Sequence, residues 1–497
     1  MTMGAFLYTR SGEGMPDALG SPAAAMHAFH RRATQCLILS KYFTSPGPYT
    51  IEALLITQQF EFMRSKDAQL GVWLMGGTII RIAFRMGYHR DPDAYPRISV
   101  HEGEIRRRIW ALIVQLDALT SYQMGLPAMV QDAHCDTQPP RNLFDEDFGP
   151  ETTQLPPSRP ESEVTPILYL INKVRVSACF REIYSRVALG GSDDYAEIMA
   201  LHQRLLTAHE SLSPRMRLSN LQDTVTVQPH ILLRRCMLEL LFQKCLCILH
   251  RRHMTKSLTN PEFSQSRAFC VEAAMSILAI QSDMLDEKKY GPILRASKGL
   301  ISSLEQTDFI LAATIICLEL SSGGYGTSHA QEHTKFTRVD LVEALHTSHR
   351  HLAKMKDMSA DCQQAYSIVS HMIQRLGLGE CSQESHSAVD VAMSHSIEAH
   401  QCATEDHSMR SLDAAGVENP GATSATSGSS NQDPPTLPDQ FSPLMFDTSG
   451  LESFFDDPHS ADWVRNYRGT HCVELNANLV QDLWEAFIRN PNPDADA

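Results

Sequence analysis

Cys-x-x-Cys spacing, the usual mark of a zinc site, is missing. The twelve cysteines run singly from Cys36 to Cys472, and the closest two, Cys245 and Cys247, have one residue between them. No secretory leader stands at Met1 to Gly20, so the thiols are expected to be reduced, mostly buried and free of disulfides, in a cytosolic or nuclear compartment. Long hydrophobic runs are lacking too. The strongest, Phe309 to Leu318, is about half the ~20 residues of a membrane-spanning helix and lies in an amphipathic pattern, so a soluble chain with no membrane partner is expected. Positive charge is in deficit, with 43 Lys and Arg against 58 Asp and Glu. The net charge of -15 repels phosphate, and no basic patch of useful size offsets it. Alternating apolar and polar runs that would demand a strand do not occur, nor does any repeat of fixed signature.

What is present is a globular composition, 43% hydrophobic and 20% charged, with a surplus of Met, His and Cys. The 497 residues exceed one ordinary core and suit a large helical domain with added segments. Residues 1–40 read as an N-terminal remainder, and a helix start follows at Thr50-Ile-Glu-Ala-Leu-Leu, with Thr50 as N-cap and an acid in the first turn. A second helix is predicted over Asp67 to Met86, apolar nearly all round and therefore central, closed by Gly87. A third begins near Ser99 with the stripe Ile105, Ile109, Leu112, Ile113 and Leu116; its charged face pairs Glu102 with Arg106 and Glu104 with Arg108. The proline-containing stretch from Gly125-Leu-Pro127 to Pro160 is expected to be a long surface connection.

Helical patterns resume at 164–189, 194–212, 228–254, 264–284, 297–320, 339–355 and 360–376, so the fold class is all-α over a domain of residues 41–380. Residues 381–440 form a low-complexity linker. The tail, 441–497, sets Phe454, Phe455 and Trp463 among Asp447, Glu452, Asp456, Asp457 and Asp462, a candidate activation segment that folds onto a partner groove.

Apparent catalytic motifs fail on mechanics. His89-Arg90-Asp91 and Asp147-Phe148-Gly149 spell kinase signatures, but the Gly-rich loop, the strand-borne Lys and the metal-holding Asn are absent. Asp193-Asp194-x-x-Glu197 has the composition of a terpene-cyclase metal site without its companion, and reads as a helix N-terminus. His250 with His253, and His346, His349 and His351, lie one turn apart on what read as surface helices, with no third ligand at zinc spacing. Arg106, Arg107 and Arg108 point about 100° apart, so they make no phosphate-facing stripe. They read as a solvated face plus one arginine reaching a buried acid such as Asp117.

Several stretches together resemble a known family. Pro46-Gly-Pro-Tyr-Thr-Ile-Glu-Ala-Leu-Leu55, Arg81-Ile-Ala-Phe-Arg-Met-Gly-Tyr-His-Arg-Asp91, Glu104-Ile-Arg-Arg-Arg-Ile-Trp110 with Leu116-Asp117, and Gly125-Leu-Pro127 look like the middle homology region of fungal zinc-cluster transcription factors. The stretch Asp308 to Leu320 is similar to a later helix of that region. The resemblance implies an all-helical, nuclear regulatory domain, not an enzyme, set between a DNA-binding zinc cluster and an activation segment. Its motif residues, here Arg81, Gly87, His89, Arg90, Arg106, Arg107, Arg108, Trp110, Asp117, Gly125, Pro127 and Asp308, would be structural. The family's six-cysteine cluster is absent from the chain, so no cofactor is expected in it, and DNA contact only indirectly or through a missing N-terminal domain. Expected partners are transcriptional coactivators or other transcription factors, with a homodimer open. The alternative is a helical small-molecule or protein-binding module without a direct role in transcription.

Overall fold

Helices form where the apolar spacing calls for them throughout the computed structural model, which describes residues 1–11, 20–64, 70–188, 194–218, 227–257, 260–285, 303–321, 335–358 and 360–379. No strand occurs among these residues, and the class is all-α as expected. They fall in one of the two units into which the chain divides; the other, 386–470, lies outside them. The linker and tail expected over 381–497, with Phe454, Phe455 and Trp463, also lie outside the described residues.

The helices are α1 (Thr2–Ser11), α2 (Pro22–Leu39), α3 (Thr50–Arg64), α4 (Leu70–Arg85), α5 (Val100–Gln123), α6 (Leu168–Ala188), α7 (Tyr195–Glu210), α8 (Pro229–Lys256), α9 (Ser264–Leu285), α10 (Ser303–Ser321), α11 (Arg338–Met355) and α12 (Ala360–Arg375). Neighbours in sequence pack as neighbours in space from α3 to α6, and α8 then lies against α6, α7, α9 and α10. Local chemistry sets the ends. Ser21, Ser99 and Asp194 cap α2, α5 and α7, each side chain accepting a first-turn N–H, and Thr337 with Asp340 forms a capping box on α11. Gly87 (φ +79°) and Gly125 (φ +66°) end α4 and α5 in the left-handed region. In each case the next N–H reaches back, Tyr88 to the Ala83 carbonyl and Leu126 to that of Ser121.

Several expectations need correction. The N-terminal remainder is partly core, because α1 buries Met3 and Phe6, and the Phe6 ring meets Phe60 edge-on at 6.0 Å. α3 begins at Thr50 itself, whose hydroxyl accepts from the Gly47 N–H rather than capping the helix from outside. α4 is not buried all round: Leu74 is 52% exposed and Trp73 only half-buried. The supposed surface connection folds back, burying Asn142 in hydrogen bonds to the Arg159, Pro160 and Glu163 carbonyls, and Leu143, Phe148 and Leu155 as a small second core. Residues 261–285 are long and apolar enough, by length and composition, to cross a membrane. Here α9 spends that surface on α8, α10 and α11.

Trp110 is 4% exposed, with its ring 5.6 Å from Phe84. Trp110→Ala should cost ~3–5 kcal/mol, the range for deleting a large buried aromatic. Urea unfolding that shows no loss would place this ring outside the cooperative core.

Candidate functional site

Three consecutive arginines of α5 fasten three different segments, because each leaves the helix in its own direction. Arg106 grips Glu102 (2.9 and 2.7 Å) and, through its other nitrogen, the Met86 carbonyl at the end of α4. Arg107 makes a bidentate pair with Asp91 (3.0 and 2.6 Å) and reaches Asp93 at 2.9 Å. Arg108 holds Glu104 (3.2 Å), Asp145 (2.7 Å) and the Leu143 carbonyl (3.2 Å). The acids are shared in turn. Asp91 also accepts from the Gln138 N–H and, through its own N–H, donates to Asp136; Arg90 pairs with Asp136 at 2.8 Å; and Glu104 accepts from the Arg141 N–H. Burial pushes the Asp91 carboxyl up, but the hydrogen bonds of Arg107 and of the Gln138 and Asp93 N–H groups together hold it below its ordinary range, whereas burial dominates at Glu104 and raises it.

These contacts overturn the reading of a solvated face. Glu104 is fully buried and Arg107 and Arg108 are each 5% exposed. Nor does any of these three arginines pair with Asp117. That carboxylate instead accepts the Val130 N–H at 2.7 Å and sits 3.4 Å from the Ser121 hydroxyl, so it pins the chain that leaves α5 through Gly125-Leu-Pro127. The acid that takes the bidentate arginine is Asp91, which is only partly buried. His89 contributes its ring to the Phe84 and Trp110 cluster. Arg81 and Pro127 are exposed, and Arg81 bonds only to Gly77 of its own helix, so neither joins the group.

Asp308 belongs to a second, deeper centre. It lies on α10, 2.7 Å from the Lys244 ammonium of α8, and both side chains are almost wholly buried. Lys173 of α6 and Glu305 of α10 are also buried, and the Glu305 charge acts on Lys173 without a direct ion pair between them. Burial pushes Asp308 up to about 7 against the pull of Lys244, and it pushes Lys173 down to about 8 against the pull of Glu305. Lys244 also lies 5.8 Å from the centre of the Tyr122 ring, and Lys173 5.5 Å from that of Tyr169. The sequence reading passed over Lys244, Lys173 and Glu305. The available signal was a lone lysine among Leu240, Leu241, Cys245 and Ile248 of α8, where only a paired charge can be tolerated.

A third buried chain joins α7, α8 and α9. His202 meets His250 at 2.8 Å, His250 meets the Ser266 hydroxyl at 2.8 Å, and Ser266 donates to the Tyr195 hydroxyl at 3.1 Å. His250 and His253 are therefore core residues, not occupants of a surface helix. Burial lowers His202, and burial with two histidine neighbours lowers His250 to about 3. His349 and His346 tie α11 to the Ser370 hydroxyl and the Leu378 carbonyl, and His351 is itself buried on α11. Asp194 caps α7 as read from sequence, and its companion Asp193 lies outside the described residues. Nine described cysteines are free thiols and six of them are buried.

Two measurements check these centres. Lys244→Met should cost about 3–5 kcal/mol by stranding a buried carboxyl, and adding Asp308→Leu should recover most of that loss. A double variant no more stable than the single would show that the pair is not coupled. The neutral histidines set a pH dependence. Their folded values lie below the ordinary 6.5, so the unfolded chain binds the extra protons. The stability they carry is intact above pH 6.5 and falls as the pH drops, by up to about 1.4 kcal/mol per unit for each. His202→Phe should therefore take up fewer protons than wild type on unfolding at pH 5, with Asp308 common to both. Equal uptake would mean that His202 is already charged in the fold.

The family described as "Fungal specific transcription factor domain" matches residues 14–208, a stretch that begins inside the expected remainder and contains the whole arginine row. The chain is 34% identical over 378 residues to the Zn(2)-C6 fungal-type transcription factor pigI of Monascus ruber, covering 76% of this chain and 46% of that protein. With the Zn(2)-C6 fungal-type transcription factor mpsB of Macrophomina phaseolina, identity is 32% over 463 residues, covering 91% and 61%. With the Pyrrolocin cluster transcription factor fsdR of a fungal species, identity is 34% over 379 residues, covering 76% and 49%. The chain thus spans 46% to 61% of the length of these relatives. No solved structure matches. These similarities lead to one assignment: residues 14–208 are a fungal-specific transcription factor domain.

Proposed function

We propose that this chain is a nuclear regulator of DNA-templated transcription and not an enzyme, with its helical domain acting as the regulatory part. The observation that carries this reading is how the domain spends its charges. Arg106, Arg107, Arg108 and Asp308 all serve internal pairs that fix segments against one another, within a chain related to proteins named as transcription factors. Contact with DNA would run through a zinc cluster of the kind named for the relatives, carried outside these residues or by a partner; the chain's own residues supply no ligand spacing for one. The partners are transcriptional coactivators or other transcription factors, met by the acidic-aromatic tail with Phe454, Phe455 and Trp463. By the name of the pyrrolocin relative, the genes controlled would belong to one cluster.

The test is a reporter driven by the full chain fused to a heterologous DNA-binding domain. The fusion should activate, and changing Phe454, Phe455 and Trp463 together to Ala should abolish activation while the melting temperature of the full chain stays put. A silent wild-type fusion would remove the activating role. Loss of melting temperature in the triple variant would make the tail a structural strap instead.

A further inference from the structure

Among the described residues, four of the large exposed apolar side chains cluster in one short stretch. Ile38, Leu39, Phe43 and Tyr49 are 44%, 78%, 70% and 69% exposed, and they follow one another at the end of α2 and in the loop that leads to α3. This loop is built, not slack. Its turns are closed by hydrogen bonds from the Lys41, Thr44 and Ser45 N–H groups, the Tyr42 and Phe43 rings meet at 4.1 Å with a tilt of 31°, and Thr50 fixes Gly47. Lys41 (φ 53°) and Tyr49 (φ 63°) sit in the left-handed region that non-glycine residues avoid, which persists only where the surroundings hold it.

α2 itself is attached by one side. Met26 and Leu37 pack on the core, and His30 lies between Glu61, at 2.6 Å, and the Phe60 ring. The opposite side carries His27, Arg31, Arg32, Gln35, Ile38 and Leu39 at helical spacing, all of them exposed. Its charge is of one sign. From Ala18 to Ile51 the sequence contains no Asp or Glu, whereas Arg31, Arg32 and Lys41 are present, in a chain whose net charge is -15. Next in sequence, Glu52 is buried in α3.

We propose that the outer side of α2, continued by Phe43 and Tyr49, is a docking surface for an acidic amphipathic segment of a partner protein, one that sets Asp and Glu around large apolar side chains. The aliphatic end supplies area that gains from leaving water, and the arginines supply steering toward acids. A second copy of this chain fits poorly, because Arg31, Arg32 and Lys41 would face their own counterparts with no acid between residues 18 and 51. Nucleic acid fits poorly too. Three fixed cations neutralise few phosphates, and Ile38 and Leu39 have no counterpart on a phosphate backbone. This surface deepens the regulatory reading by naming a partner chemistry and rests on it for its meaning. Its test is binding in vitro and that of the reading a reporter in cells, so either can fail alone.

The experiment titrates the full chain with a labelled synthetic peptide in which Asp and Glu alternate with Leu and Phe. Leu39→Asp with Phe43→Asp should weaken binding at least about tenfold. Arg31→Glu with Arg32→Glu should weaken it similarly and remove its salt dependence. Val339→Asp, at an exposed apolar residue on α11, should change nothing. The Arg31→Glu, Arg32→Glu chain should also gain binding to a peptide with Lys in place of the acids, a gain that an unfolded variant cannot produce. The proposal is overturned if these variants bind the acidic peptide as wild type does, or if wild type prefers the Lys peptide. It is equally overturned if an oligonucleotide binds more tightly through these residues, or if Leu39→Asp abolishes self-association of the chain instead of peptide binding.

Discussion

The burial of Lys244 against Asp308 is the constraint around which the larger part of the domain is arranged. An ammonium taken out of water costs several kcal/mol unless an acid stands at contact distance, so α8 and α10 have almost no freedom to slide past each other. Lys173 of α6, also buried, feels the charge of Glu305, one turn from Asp308 on α10, at longer range. Both acids come from one helix and both ammoniums from others. The position of α10 therefore sets α8, and α9 is fixed to α10 by the bidentate pair of Arg267 with Glu319 (2.8 and 2.7 Å). Such pairs contribute little net stability compared with apolar side chains of similar size; what they supply is a single allowed register.

A different economy operates between α4 and α6. There the connections are long and proline-containing, and they would have few reasons to adopt one path. Arg106, Arg107 and Arg108 supply the reasons: one holds the end of α4, one the turn at Asp91 to Asp93, and one the segment near Asp145. Asp117, one helical stretch further on, holds Val130. α5 thereby acts as a rail to which the otherwise irregular residues are attached, and Leu143, Phe148 and Leu155 can then close over its N-terminal half.

For a regulatory protein this distribution has a consequence. The interior is stiffened by paired charges and by the His202, His250, Ser266 and Tyr195 chain. What remains unspent is peripheral: the outer side of α2, with its arginines and large apolar residues, borne on a helix fastened by one flank. A rigid body with an attached, chemically distinct edge is an arrangement suited to receiving a partner without refolding the core.

Sequence alone determined the class of the fold and most helix ends, because these depend on neighbours within a turn. Apolar spacing placed α5 and α7 through α9, Ser99 and Asp194 announced their caps, and Gly87 and Gly125 announced stops that only a left-handed residue permits. It also singled out the residues that matter in α5, through their likeness to a family, but not what they touch. The partner of Arg107 lies sixteen positions back in a turn and that of Lys244 sixty-four positions on in another helix. Periodicity carries no information about such pairs. It cannot tell a solvated charge from a buried one either, since Glu104 and Glu102 read alike while one is fully buried and the other exposed. Only the tertiary structure decided which charges left water, because that depends on which surfaces meet, and surfaces meet across distances in sequence over which no local rule reaches.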